Sequence, residues 1–150
     1  MNTALVFDYG RRRIGVAVAN RLAGTAAGLT VVPARDGQPD WATLDQVIAD
    51  WGPDVLVSGL PYNADGSESD MTTEVRAFAA LLAERYGLAV ETVDERLTSA
   101  EAETILREQR QAGVRRRRVC KTDVDRVAAV LIAETWLREE TGAETENNGD

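Results

Sequence analysis

The sequence contains no histidine at all. This absence excludes a Ser-His-Asp triad, a Cys-His pair, a histidine general base and every metal site that depends on imidazole. The single cysteine, Cys120, permits no internal disulfide and no cysteine-rich zinc cluster. If the protein is a hydrolase, its chemistry must therefore come from carboxylates, hydroxyls, lysine or metals bound through oxygen.

Long apolar runs are also missing, and none approaches the roughly 18–20 residues that a membrane-spanning helix needs. The first ten residues, MNTALVFDYG, have neither the basic segment nor the small-residue cleavage site of a signal peptide. The chain has 150 residues, 44% of them hydrophobic, which fits one globular domain with a sizeable core. We therefore expect a cytoplasmic protein with no membrane partner.

Acidic residues dominate the charge, with 25 Asp and Glu against 17 Lys and Arg and a net charge of −8. The imbalance is uneven along the chain. Residues 139–150 contain five acids and no base, and this polar segment is predicted to be a disordered tail. Residues 107–126 contain eight basic and three acidic residues. The domain, residues 1–138, could therefore still present a basic face to phosphates.

Strand and helix patterns alternate along the chain, without a repeat. Strand-type runs occupy 4–9, 14–19, 29–34, 54–60 and 88–93. The first two flank a turn at Gly10–Arg13 and predict a hairpin, whereas Pro33 restricts the third strand to a sheet edge or a strand end.

Four helices are predicted. The first covers 40–52, and the second has about 17 residues and ends before Gly87. The third covers 98–113, and the fourth covers roughly 123–138. Asp40 is the expected N-cap of the first helix, and Thr98 with Glu101 forms a capping box for the third. The order of elements predicts one α/β domain with a mixed sheet and helices on its faces.

Three acids stand out by position. Asp8 ends the first strand, Glu95 lies just past the fifth strand, and Asp125 is in the first turn of the last helix. Sites in open sheets gather at the carboxyl ends of strands, where two of these acids fall. A final helix packed across the sheet could bring the third acid near them. Three carboxylates from distant segments can hold one or two Mg²⁺ or Mn²⁺ ions.

The first strand also predicts where Asp8 points. Side chains alternate between the two faces of a strand, so Asp8 shares a face with Ala4 and Val6. We therefore expect its carboxylate to point toward a cleft covered by a helix.

Each of these features also has a purely structural interpretation. Asp8 suits the turn that follows it, Glu95 could lie at a solvated strand end, and Asp125 could be part of a helix cap. The loop at 63–69 could be a simple connection, and Arg115–Arg118 could be a solvated loop. Taken singly, the residues leave these alternatives open.

Four motifs taken together resemble one bacterial family. FDYGRRRIGVAV, GLPYNADGSES, DERLTSAEA and KTDVDRVAAVLI occur in the order and spacing of the YqgF family of pre-16S rRNA nucleases, also described as Holliday-junction-resolvase-like. The resemblance covers residues 4–138. It implies a ribonuclease-H-like fold, a mixed β-sheet with helices on both faces, and a metal-dependent nuclease that matures the 5′ end of pre-16S rRNA.

The resemblance also implies roles for individual residues. Asp8, Glu95 and Asp125 match the catalytic metal ligands, for Mg²⁺ or Mn²⁺, in the hydrolysis of a phosphodiester by water. Asn63 and Ser67 match the loop motif that would line the cleft, and Lys121 matches a basic position just before the last helix. Arg96 could contact phosphate, or pair with a carboxylate to hold the site together. With the arginines of the turn and of the basic run, the expected nucleic-acid contacts are Arg11, Arg12, Arg13, Asn63, Ser67, Arg96, Arg115, Arg116, Arg117, Arg118 and Lys121.

Precursor rRNA is the expected substrate, and two alternatives stay open. One is a Holliday junction resolvase acting on branched DNA, which ordinarily works as a two-fold dimer. The other is a non-catalytic nucleic-acid-binding module with the same fold. Retention of all three acids favours an enzyme, while the sequence leaves the oligomeric state undetermined.

Overall fold

The computed structural model describes residues 2–63, 65–95 and 127–139. The strands are β1 (Thr3–Asp8), β2 (Arg13–Asn20), β3 (Thr25–Arg35), β4 (Gln38–Pro39), β5 (Val55–Leu60) and β6 (Val90–Asp94). The helices are α1 (Trp41–Trp51) and α2 (Asp70–Tyr86), and residues 127–139 form a further helix, here named the C-terminal helix. The helix predicted at 98–113 lies outside the described residues, as do residues 140–150 of the predicted tail.

The six described strands form one mixed sheet in the order β4-β3-β2-β1-β5-β6. β1, β2, β3 and β4 pair as antiparallel neighbours, whereas β5 is parallel to both β1 and β6. The carboxyl ends of β1, β5 and β6 therefore meet at the same edge of the sheet. This edge is where an open α/β sheet places its ligands.

The β1–β2 turn has the predicted location and requires glycine. A Cβ atom on Gly10 would lie 2.5 Å from the backbone oxygen of Arg13, too close for any side chain. The turn is also bonded to the next strand, because the Ala34 amide donates to the Arg12 carbonyl at 2.8 Å. The backbone that carries the turn arginines is therefore held in place by its hydrogen bond to β3.

Two buried clusters cover the two faces of the sheet. Leu5 and Phe7 of β1 pack with α1 and α2, while Ala4 and Val6 pack with the C-terminal helix. The expected alternation along β1 is thus confirmed, and so are helices on both faces. No helix among the residues described is long and apolar enough to cross a membrane.

The α2 helix matches the prediction closely. It has 17 residues and begins with a capping box between Ser69 and Thr72. It ends at Gly87, which has a left-handed φ of 65°. At α1, Asp40 is the N-cap residue as predicted, but its carboxylate makes no backbone cap and instead accepts from the Thr43 hydroxyl at 2.7 Å.

β3 is longer than predicted and is followed by the unpredicted β4. The extra residues are Thr25–Gly28 and Arg35. Alanine and glycine, which make up most of the first segment, have weak strand propensity, but that segment continues the ladder with β2. β4 pairs only with Ala34 and Arg35 of β3. Along the rest of β3, no described strand pairs with the side that faces away from β2. Pro33 therefore lies in an edge-type environment, as the sequence indicated.

Candidate metal centre

Two of the three predicted acids meet at the edge of the sheet where the C-terminal ends of β1, β5 and β6 lie, here named the carboxyl edge. Asp8 is the last residue of β1, and Glu95 directly follows the last residue of β6. β5 lies between these strands. The side chain of Glu95 crosses this gap along Gly59 of β5 and forms a hydrogen bond with Asp8. The fold therefore brings together carboxyl groups that are 87 positions apart in the sequence.

A hydrogen bond between two carboxyl groups requires a shared proton, because two ionised carboxylates are both acceptors and repel each other. Burial raises the pKa of Glu95 above its ordinary value, and the hydrogen bond with Asp8 acts in the opposite direction. The negative charge of Asp94 raises the pKa of Glu95 further. Glu95 thus retains a proton more readily than an exposed glutamate would.

The donor set of this pair fits a hard divalent cation. Both side chains offer carboxylate oxygens, which Mg²⁺ and Mn²⁺ prefer, and a bound cation would take the place of the shared proton. No group of three Asp, Glu, His or Cys side chains with metal-binding geometry occurs within residues 2–63, 65–95 and 127–139. The third predicted ligand, Asp125, lies outside these residues.

The direction of the C-terminal helix bears on the position of Asp125. Ile132 of this helix lies against Gly59, beside Glu95. One turn later, the indole nitrogen of Trp136 donates to Glu91 at 3.0 Å, farther back along β6. The helix therefore runs away from the carboxyl edge, and its N-terminal end is the one nearer to Asp8 and Glu95.

Of the turn arginines, Arg11 is held by α2. Its Nε donates to both carboxylate oxygens of Glu74, at 3.1 and 3.0 Å, and its Nη2 makes a further contact with the same group. The Tyr9 hydroxyl donates to Glu74 at 3.2 Å. Arg12 is exposed, while Arg13 is half-buried at the start of β2. The three arginines thus lie at the edge that carries Asp8, in three different environments.

The predicted contact residues Asn63 and Ser67 lie in an exposed loop that is bonded to itself. The Asn63 side chain donates to the Ser67 hydroxyl at 2.9 Å, and that hydroxyl donates to Asp65 at 2.6 Å. The loop leads directly into the N-terminus of α2. These side chains present polar groups beside a helix N-terminus, where phosphate is favoured.

The remaining predicted contacts form a separate group. They are Arg96, Arg115, Arg116, Arg117, Arg118 and Lys121, which lie outside the described residues.

Sequence reasoning missed two residues around this edge. Glu74 fixes Arg11, and nothing in the sequence pattern of α2 distinguishes it from the other acids of that helix. Gly59 contacts Glu95, and here a signal existed: a glycine inside a buried strand often marks the close approach of another group.

Comparison with protein families gives one match over residues 2–139, to the model described as "RuvX: Holliday junction resolvase". A relative from Marinobacter nauticus, named "Putative pre-16S rRNA nuclease", is 47% identical over 92% of this chain and 94% of its own. A relative of the same name from Azotobacter vinelandii is 46% identical over 90% of this chain and 92% of its own. The motif-based resemblance to the YqgF family is therefore confirmed.

Solved structures show the same fold at low sequence identity. The RuvC protein of T. thermophilus, in complex with a Holliday junction substrate, matches with a TM-score of 0.55 at 17% identity, over 94% of this chain and 98% of its own. The yeast mitochondrial Holliday junction resolvase matches with a TM-score of 0.55 at 13% identity, over 97% and 81%. The predicted ribonuclease-H-like α/β fold is confirmed by these neighbours.

Proposed function

The chain belongs to the RuvX (YqgF) family, and from that premise we propose that it is a metal-dependent nuclease that matures the 5′ end of precursor 16S rRNA in the cytoplasm. The two relatives compared above are named for that activity, and each aligns with this chain over nearly its whole length. The observation that supports the proposal most is the hydrogen-bonded pair of Asp8 and Glu95 at the carboxyl ends of parallel strands.

Asp8 and Glu95 are the proposed protein ligands of Mg²⁺ or Mn²⁺. Their carboxyl groups lie at the ends of separate strands of one sheet, so folding brings the oxygen ligands together. When bound, the cation supplies Lewis-acid activation of water and stabilisation of the leaving oxygen of a phosphodiester. Burial, which raises the pKa of Glu95, disfavours its bare negative charge, and a bound cation would compensate that charge.

Asp125 is the proposed third ligand. The direction of the C-terminal helix supports this role, because its N-terminal end is nearer to Asp8 and Glu95. Residue 127, at which the helix is first described, is only two positions from Asp125.

Basic side chains around this edge are the proposed phosphate contacts. Arg12 and Arg13 follow Asp8 within one short turn, and Arg11 is held nearby by Glu74. We assign the same role to Arg96, Lys121 and the run Arg115–Arg118. Such contacts raise affinity for any nucleic acid without selecting a sequence.

A second candidate function is the resolution of Holliday junctions in DNA. The family model is described by that activity, and the two solved structures compared above are a RuvC protein bound to a Holliday junction and a Holliday junction resolvase. Symmetric cutting of a four-way junction calls for a two-fold dimer. The two candidates therefore predict different substrates and different oligomeric states.

The test is incubation of purified protein with precursor rRNA and, in parallel, with a four-way DNA junction, each with EDTA or with Mn²⁺. The proposal predicts Mn²⁺-dependent cleavage of the RNA by the wild type and none by Asp8→Asn. Light scattering on the same sample reports the oligomeric state. Cleavage of the junction alone by a dimer would favour the second candidate, and no cleavage of either would favour a binding module.

A further inference from the structure

Gly59 occupies the centre of the carboxyl edge. It is buried near the end of β5, between β1 and β6. The register pairs Phe7 of β1 with Ser58, and Gly59 with Val93 of β6. Gly59 is therefore level with Asp8, one residue beyond the Phe7–Ser58 pair, and it lies on the path from Asp8 to Glu95.

Space explains the glycine at this position. Its φ is not among the positive values found at other glycines, so another residue could adopt this backbone conformation. A Cβ atom on Gly59 would lie 2.5 Å from Oε1 and 2.8 Å from Cγ of Glu95. It would also lie 2.5 Å from Cδ1 of Ile132. All three distances are shorter than atoms in folded proteins approach, so a methyl group here must displace its neighbours.

We propose that Gly59 is a positioning residue of the metal centre, whose missing side chain lets the Glu95 carboxyl group lie on β5 and reach Asp8. This inference rests on the proposed function only for its consequence in metal binding. The stem of Glu95 lies directly on the β5 backbone, so any side chain at position 59 lifts the carboxyl group away from the sheet. Asp8 stays at the end of β1, and the pair separates.

The competing explanation is that Gly59 only makes room for Ile132, so that the C-terminal helix can pack. The two contacts can be separated by substitution. Ile132→Val removes the Cδ1 atom that a methyl group at position 59 would strike. In the double variant Gly59→Ala/Ile132→Val, the new methyl group no longer clashes with the C-terminal helix, but it still clashes with the side chain of Glu95.

The experiment compares wild type, Ile132→Val, Gly59→Ala and the double variant. Melting temperature reports packing, and titration calorimetry reports Mn²⁺ affinity. We expect Gly59→Ala to lower both, and the double variant to regain much of the melting temperature while its Mn²⁺ affinity stays about 10- to 100-fold below that of Ile132→Val. Val57→Ala, which truncates a buried residue on the same face of β5, is the control: it should lower the melting temperature and keep the Mn²⁺ affinity.

A crystal structure of the double variant without metal gives a readout that does not depend on the proposed function. The inference predicts that the Asp8–Glu95 hydrogen bond is lost. Persistence of this hydrogen bond, or wild-type Mn²⁺ affinity in the double variant, would overturn the positioning role. If the wild type itself binds no Mn²⁺, the proposed function fails, and the crystal structure still decides the role of Gly59. Gly59→Ala alone serves for this structure if the double variant does not crystallise.

Discussion

Carboxylates on the two faces of the sheet have opposite environments. On the face of α1 and α2, Asp45 accepts two hydrogen bonds from Arg85, at 2.8 and 2.7 Å, and one from the Tyr86 hydroxyl at 2.6 Å. The guanidinium of Arg85 is the main reason that the pKa of Asp45 falls to about 2. On the opposite face, Glu95 forms a hydrogen bond with the carboxyl group of Asp8, and burial raises the pKa of Glu95.

This difference distinguishes acids that are paired with arginine from acids that contact each other. Asp45 has its counter-charge within the fold, and so does Glu74, whose pKa is lowered mainly by Arg11. Asp8 and Glu95 are acids held against each other, an arrangement that costs stability when both are ionised and that a divalent cation relieves. Two carboxyl groups in contact at the ends of parallel strands thus make this edge of the sheet a candidate cation site.

The largest expected effect comes from breaking the carboxyl pair. Asp8→Asn removes an oxygen donor and should lower kcat by at least about 10³-fold, because the residues of such a centre act as a unit. The melting temperature without metal should stay the same or rise, because the variant removes repulsion from Glu95. Rates on precursor rRNA and thermal melts in EDTA measure both effects. A variant that loses activity and also unfolds would show that Asp8 is structural.

The next largest effect is expected at the β1–β2 turn, where Arg12 is exposed while Arg11 is held by Glu74. Arg12→Ala should raise KM a few-fold with little change in kcat, and should reduce the salt slope of RNA binding by about 1. Steady-state kinetics and binding titrations at several salt concentrations test this. Equal losses of kcat in Arg12→Ala and Asp8→Asn, with KM unchanged, would contradict separate roles for the two residues.

The pH dependence of stability should differ in sign between the faces. The pKa of Asp45 is lowered in the folded state, so its stabilisation is complete above its ordinary value of 3.8 and is lost as the pH falls toward about 2. The pKa of Glu95 is raised above its ordinary value of 4.5, so without metal the folded state loses stability as the pH rises from that value through the higher pKa of the folded state.

Denaturant unfolding in EDTA between pH 2 and pH 8 measures these two dependences. Asp45→Asn should reduce the loss of stability at acidic pH, part of which remains because the pKa of Glu74 is also lowered in the folded state. Glu95→Gln should reduce the decrease in stability above the ordinary Glu range. An unchanged profile in Glu95→Gln would show that Glu95 does not titrate abnormally.

The smallest effect is expected for Asp45→Asn at neutral pH. The ion pair with Arg85 is exposed, so the melting temperature should fall by no more than about 4 °C. Cleavage and Mn²⁺ affinity should match the wild type, which makes this variant the matched control for Asp8→Asn. A large loss of activity in Asp45→Asn would remove the distinction between the two faces.

The sequence predicted those parts of the fold that depend on local patterns. Alternation along β1 placed Asp8 on the correct face, and the capping box and Gly87 bounded α2 correctly. The full length of β3 was missed because its small residues are held by pairing with β2 rather than by their own propensity.

For the candidate site, position at strand ends and the family resemblance identified Asp8 and Glu95. They could not identify Gly59, since its role depends on a side chain 36 positions later and on a helix from the far end of the chain. Nor could they identify the Arg11–Glu74 pair, because the two residues meet only when α2 packs on the sheet. Contacts between distant segments are the part that local patterns do not encode.

Thermal melting of the metal-free protein during titration with Mn²⁺ tests the central claim most directly. A cation that binds only the folded state raises the melting temperature progressively with its concentration. The account predicts this rise for the wild type and for Asp45→Asn, and its loss in Asp8→Asn, whose metal-free melting temperature is at least that of the wild type. No rise in the wild type, or the same rise in Asp8→Asn, would contradict the assignment of Asp8 and Glu95 as the metal centre.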